Sequence, residues 1–237
     1  RMNDTPVFAL ILVSAGAEWR ALFSDLVNGL PDRTAVEATP YGECFEARIA
    51  NRRVVFLHGG WGKVSAAAST EYAVSRWQPQ RLVNLGTCGG FAGRANVGEI
   101  LLAEETLMYD IIEQMGDSQA AVEHYTSQPQ WPILPRNLPV PLRRVCLISA
   151  DRDIVPEEIP FLVLQYDAVA ADWESGAIAW VAGRHNLPCL ILRGVSDVVG
   201  VSGGEAYGAL EVFHTRAGSI MQTLLQLLPP ILSAADA

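Results

Sequence analysis

The chain alternates short, almost wholly apolar runs with longer segments whose apolar residues recur every three or four positions. Residues 7–13 (VFALILV) hold no polar side chain, the pattern of a strand buried on both faces. Residues 18–30 follow with Trp19, Leu22, Leu26 and Leu30 at helical spacing, and Ser14 stands where a helix cap would. Residues 34–39, 41–49 and 53–58 read as three consecutive strands, turning at Pro40-Tyr41-Gly42 and Ala50-Asn51-Arg52. Residues 63–77 are Ala-rich and helical, closed by Pro79, and 81–85 return to a strand that ends in Gly86-Thr87-Cys88-Gly89-Gly90. Further strands are expected at 97–108, 145–149, 168–171 and 189–195, with a helix at 173–184 between the last two. A final helix over 205–228 should stop at Pro229-Pro230, because proline lacks an amide donor and clashes with the preceding turn. Residues 110–141, rich in Gln, Ser and Pro, follow neither period and read as an excursion or a partner-facing flap. No repeat or linker interrupts this order. It predicts one α/β domain over 2–237, a central mixed, mostly parallel sheet with helices on both faces.

Composition narrows the function. Of 237 residues, 50% are hydrophobic and 18% charged, enough for a large core and unlike a disordered chain. A net charge of −9 and a single lysine, Lys63, argue against nucleic acid or an anionic membrane as partner. No apolar run has the length of a membrane span, and the N-terminal residues lack a signal-peptide pattern, so a cytoplasmic location is expected. The four cysteines form no CxxC pair and the four histidines no HExxH motif, so neither a metal nor another cofactor is expected. Reduced thiols fit the same compartment.

Ligands of open α/β sheets bind beyond the carboxyl ends of strands. Four segments fall at such ends: 14–18, 86–90, Asp172-Trp173-Glu174 and Ser196-Asp197. The Gly-rich segment lets a ligand approach the backbone, but it is not GxGxxG and is equally a plain turn. Asp172 and Glu174 suit the first turn of a helix through its dipole, or a carboxylate gripping vicinal hydroxyls. Asp197 reads as a cap or turn residue, or as a proton donor if an apolar pocket raises its pKa. Glu18 poses the same choice. Three carboxylates at three strand ends point to acid/base chemistry on a hydroxylated substrate.

Five segments, taken in order and spacing, carry a resemblance: Gly60-Trp61-Gly62-Lys63-Val64, Val83 to Gly90, Val97-Gly98-Glu99-Ile100, Asp172 to Ala179, and Arg193-Gly194-Val195-Ser196-Asp197. Together they resemble the nucleoside phosphorylase/nucleosidase superfamily, and within it the 5′-methylthioadenosine/S-adenosylhomocysteine nucleosidase branch. The resemblance implies that Glu18 activates water, Glu174 binds the ribose hydroxyls and Asp197 protonates N7 of the purine. It implies that Ser196 and Arg193 orient the carboxylates, and that Thr87, Cys88 and Gly89 line the sugar and base site. Ile154 would offer backbone contacts to the base, and Tyr207 would cover the 5′ group. Trp61 and Trp173 stand where the family carries aliphatic residues and Met, which reshapes the pocket around the ribose and its 5′ substituent. The segment Ser149-Ala150-Asp151-Arg152-Asp153-Ile154 lacks the aromatic that usually flanks the purine.

The implied reaction is hydrolysis of an adenine nucleoside carrying a 5′-thio group. The alternatives are another purine nucleoside, adenosine or futalosine-like, phosphorolysis, or nucleoside binding without catalysis. An acid at Glu18 with only Arg20 nearby favours water over phosphate. The resemblance further implies a homodimer, with 110–141, including Tyr125 and Trp131, and the helices beginning at 63 and 173 as candidate contacts.

Overall fold

Every residue of β1 (Ala9–Val13) is buried, because this strand lies mid-sheet, parallel to both β4 (Arg52–His58) and β5 (Leu82–Phe91). The computed structural model describes residues 6–23 and 25–235. On one side the sheet continues through β4 to β3 (Glu43–Ile49) and β2 (Glu37–Ala38). On the other it closes on itself: β5 pairs with both β9 (Cys189–Gly200) and β8 (Ala168–Asp172), and β6 (Ile100–Met108) and β7 (Arg143–Ser149) complete the ring. A short β10 (Gly203–Gly204) folds back on β9.

The sheet is mixed rather than mostly parallel. Among the described residues, five strand pairings are parallel and five antiparallel. The reason lies in β5 and β9, which run past the expected ends at 85 and 195. A register shift at Cys88/Gly89 bends the pair, and Gly89-Gly90 then meets β8 antiparallel. A Cβ on Gly90 would lie 2.9 Å from Val195 Cγ1 and 2.9 Å from Ala95 Cβ, so glycine is what permits this closure.

Helices cover both faces. α1 (Gly16–Leu22) and α7 (Leu210–Ala234) set Trp19, Leu22, Met221 and Leu224 against Ile11, Phe56 and Leu85. On the other face α3 (Gly62–Trp77) and α6 (Ser175–Arg184) use Ala66, Ala73, Ala177 and Ala182 to come close to Leu10, Leu12 and Val195. The helix expected over 18–30 is split into α1 and α2 (Asp25–Asn28), and its N-cap is Ala15, while the buried Ser14 hydroxyl has no hydrogen-bond partner. α7 begins at Leu210 and runs through Pro229 and Pro230 to Ala234. Complete burial of Leu227, Leu228, Ile231 and Leu232 outweighs the two missing donors.

The 110–141 stretch contains α4 (Ser118–His124), capped by the Asp117 carboxylate, and is otherwise irregular. Trp131 and Tyr125, candidates for a contact between protomers or for cover of the chain's own core, are partly buried against that core. α5 (Ile159–Tyr166) follows the loop after β7 and packs on β8.

Candidate active site

A buried cation organises the carboxyl ends of the central strands. Arg193, mid-β9 and 1% exposed, donates from Nε to Asp172 Oδ2 at 2.8 Å and from Nη2 to Asn84 Oδ1 at 2.7 Å. Asn84 in turn donates to the Leu12 carbonyl at 3.0 Å, tying the guanidinium to β1. The second oxygen of Asp172 accepts from the hydroxyls of Ser149 at 2.6 Å and Ser175 at 2.9 Å and from the Ser175 amide at 3.1 Å. Asp172 is therefore fully engaged as the counter-ion and as the anchor of α6. A buried pair holds only when its remaining donors and acceptors are matched in this way.

Glu18 projects from the first turn of α1 toward the same cation. Its Oε1 accepts from the Thr87 amide at 2.6 Å and the Thr87 hydroxyl at 2.7 Å, and Oε2 accepts from the Ala15 amide at 3.3 Å. Burial raises its pKa, against the opposing pull of Arg193 and these donors. The fit depends on Gly86, where a Cβ would stand 3.0 Å from Glu18 Oε2 and 3.3 Å from Arg193 Cζ.

Glu174 enters from the start of α6, and its Oε1 accepts from the Gly62 amide at 3.1 Å, which links α6 to α3. Burial first, then the neighbouring Asp172 and Glu18 carboxylates, push its pKa up to about 8. Trp61 and Trp173, each preceding one partner of that bond, stack with ring centroids 4.8 Å apart at 26°. Trp61 is 65% exposed despite the stack.

At the Asp197 end, the Ser196 hydroxyl has two acceptors, Asp197 Oδ1 at 2.9 Å and the Cys88 carbonyl at 3.2 Å. Burial raises the Asp197 pKa, opposed by Ser196 and Arg216. Arg216 of α7 also donates to the Ser196 carbonyl at 2.9 Å. Ile154 lies against Gly89, where a Cβ would be 2.7 Å from Ile154 Cδ1. The Tyr207 hydroxyl donates to the Ile154 carbonyl at 2.9 Å, which places this ring at the Asp197 end. Burial pushes the Cys88 thiol well up, the opposite of the environment that activates a cysteine nucleophile.

These groups surround one cleft of about 740 Å³, within the usual size of a small-molecule site. Glu18, Trp61, Thr87, Cys88, Gly89, Ile154, Trp173, Glu174, Ser196, Asp197 and Tyr207 all line it. Arg193 does not: it lies behind the carboxylates. The sequence reading weighed Asp172 only as a helix-turn acid or a grip on hydroxyls, not as the partner of Arg193, and left out Asn84 as a site residue and Asp153, Phe213 and His214 as part of the lining. Asp172 had a visible signal, since it stands two residues before Glu174, but spacing does not say which acid pairs with Arg193; both line the cleft.

The family model described as the phosphorylase superfamily matches residues 11–228. This chain belongs to the phosphorylase superfamily. A relative from Anoxybacillus flavithermus, a 5′-methylthioadenosine/S-adenosylhomocysteine nucleosidase, is 26% identical over 231 residues, covering 92% of this chain and 97% of that one. The superfamily fold is shared with the nucleosidase of Colwellia psychrerythraea, solved in complex with adenine (TM-score 0.75, 20% identity, 98% and 96% coverage). It is shared equally with futalosine hydrolase of Helicobacter pylori (TM-score 0.74, 16% identity, 94% and 97% coverage). At such identities the likeness concerns the fold and does not choose between substrates.

Proposed function

We propose that this superfamily member hydrolyses the N-glycosidic bond of adenine nucleosides with a 5′-thio substituent, methylthioadenosine and adenosylhomocysteine, releasing adenine and the thioribose. One observation carries the reading: Glu18, Glu174 and Asp197 line a single cleft with the buried Arg193 behind them. As the C1′–N9 bond breaks, its electron pair moves onto the purine and positive charge develops on the sugar. Asp197, its pKa raised by burial, gives its proton to N7 and improves the leaving group. Glu174 holds the ribose hydroxyls. Water adds to C1′ and gives up its proton to Glu18, whose pKa burial raises against the opposing pull of Arg193 and the Thr87 donors.

Glu18 also supports water over phosphate as the nucleophile. Its carboxylate occupies the Ala15 and Thr87 amides, donors that an incoming anion would need. A second reading, a nucleoside with an aromatic 5′ substituent (futalosine-like), is favoured by the stacked indoles beside Glu174. The enzyme is further proposed to act without a cofactor, as a homodimer, in the cytoplasm and in methionine salvage. Its four unpaired cysteines fit a reducing compartment.

The test is incubation with methylthioadenosine, adenosylhomocysteine, adenosine and inosine, without and then with phosphate, scoring free base and sugar. Adenine release without phosphate is expected. A sugar 1-phosphate product whose rate follows phosphate would overturn hydrolysis, and tight binding with no turnover would leave only a nucleoside-binding protein.

A further inference from the structure

The loop that follows β7, 149–154, reaches the cleft with Arg152, Asp153 and Ile154 and presents no aromatic ring. A flat heterocycle held at Asp197 would meet Ile154 there, and needs a planar surface to gain stacking energy. Two of the cleft's rings, Trp61 and Trp173, are engaged with each other beside Glu174. Tyr207 is the ring tied to the Asp197 end, on three grounds. Its hydroxyl donates to the Ile154 carbonyl at 2.9 Å. Its ring packs on Gly204, where a Cβ would fall 2.6 Å from Tyr207 Cδ1 and Cε1 and 3.0 Å from Asp197 Oδ2. Ring and carboxylate therefore flank the same glycine, and only a residue without a side chain fits between them. Tyr207 also lines the cleft and as a residue remains 44% exposed, so it is open to a ligand.

We infer that Tyr207 is the base-stacking residue of this enzyme, a specificity determinant for the purine rather than a cover for the 5′ group. The inference rests on the proposed nucleosidase reading, since that reading is what places a purine at Asp197. The β10–α7 segment supplies the planar wall that the 149–154 loop lacks, and the Tyr207–Ile154 bond fixes the ring's distance from the loop backbone. Tyr207 belongs to the chain's own fold, so the base subsite is complete within one protomer.

The experiment compares wild type, Tyr207→Phe and Tyr207→Leu in adenine binding by calorimetry and in hydrolysis of methylthioadenosine and adenosine. A stacked base corresponds to roughly a 5- to 150-fold effect. Tyr207→Leu should therefore weaken adenine binding on the order of 10-fold or more and raise KM for both nucleosides by the same factor. Tyr207→Phe, which keeps the ring and loses only the bond to Ile154, should stay within a few-fold of wild type. Unchanged adenine affinity in Tyr207→Leu overturns the assignment. So does a loss confined to methylthioadenosine, which would put the ring on the 5′ group. Wild type that neither binds adenine nor releases it would remove the nucleosidase reading itself, and this inference with it.

Discussion

Asp197 and Glu174 are both buried acids with raised pKa values, but the reaction asks different things of them. Asp197 has to carry a proton. Asp197→Asn should cost on the order of 10²–10⁴-fold in kcat, the usual worth of a general acid, with a smaller change in KM. In the wild type, kcat/KM should fall as pH rises through the Asp197 pKa, which burial raises from its ordinary value, and a pH-rate profile checks this. Glu174 leaves its mark on stability. Its folded pKa of about 8 exceeds the ordinary 4.5, so between those values the folded chain holds a proton that the unfolded chain has lost. Stability from this group is present at low pH and declines as pH rises across that window. Thermal melts should show that slope in wild type and a flatter one in Glu174→Gln; equal slopes would contradict the assignment. Glu18, Glu174 and Asp197 were legible as candidates because acids at strand ends are conspicuous. The role of Asp172 was not, because which of two nearby acids turns toward Arg193 depends on β8 and β9 meeting the same ring of strands.

Among the elements, α7 and β9 depend on each other most visibly at Gly194. A Cβ there would stand 2.3 Å from Ile220 Cγ2 and 2.9 Å from Ile220 Cγ1, so the helix rests directly on the strand. Gly194→Ala should push α7 outward and destabilise the protein by about 1–3 kcal/mol, the usual cost of overpacking a core. Calorimetry would register this as a drop of several degrees in Tm. Unchanged Tm would mean that α7 shifts freely. The same contact explains what periodicity missed. Pro229-Pro230 looked like a stop because local propensity says so, yet the apolar stripe from Ile220 to Leu232 continues beneath the prolines and burial decides. β5 and β9 were read short for the converse reason. Among their final residues, Gly89, Ser196 and Asp197 are small or polar because they line the cleft, and Gly90 is small because Val195 and Ala95 press on it, while the ladder resumes past the register shift with Gly89 opposite Asp197.

For the molecule as a whole, alternation of strand and helix revealed the class, but ring closure was hidden, since it requires pairing between residues far apart in sequence, such as Gly90 and Ala170. The outer surface carries a prediction of its own. Trp61 is exposed at the start of α3, with Val64 81% exposed one turn on, and the loop after β6 exposes Ile112 and Met115. An ion pair between Lys63 and Asp110 fastens these two segments to each other. An apolar face of this kind suits a symmetric contact. Light scattering at micromolar concentration should give about twice the 25.7 kDa of one chain, and Val64→Asp should shift the mass toward one chain. A wild-type mass of one chain would refute the dimer.

The paired indoles at the cleft mouth have an optical consequence. Two such chromophores stacked 4.8 Å apart at 26° mix their electronic transitions, and the resulting splitting depends on their mutual angle. The chain thus carries a built-in gauge of its own cleft. Anything that wedges beside Trp61 or turns Trp173 alters the circular-dichroism couplet of the pair, against a background from the other four tryptophans. Occupancy of the site is readable without label, substrate analogue or turnover.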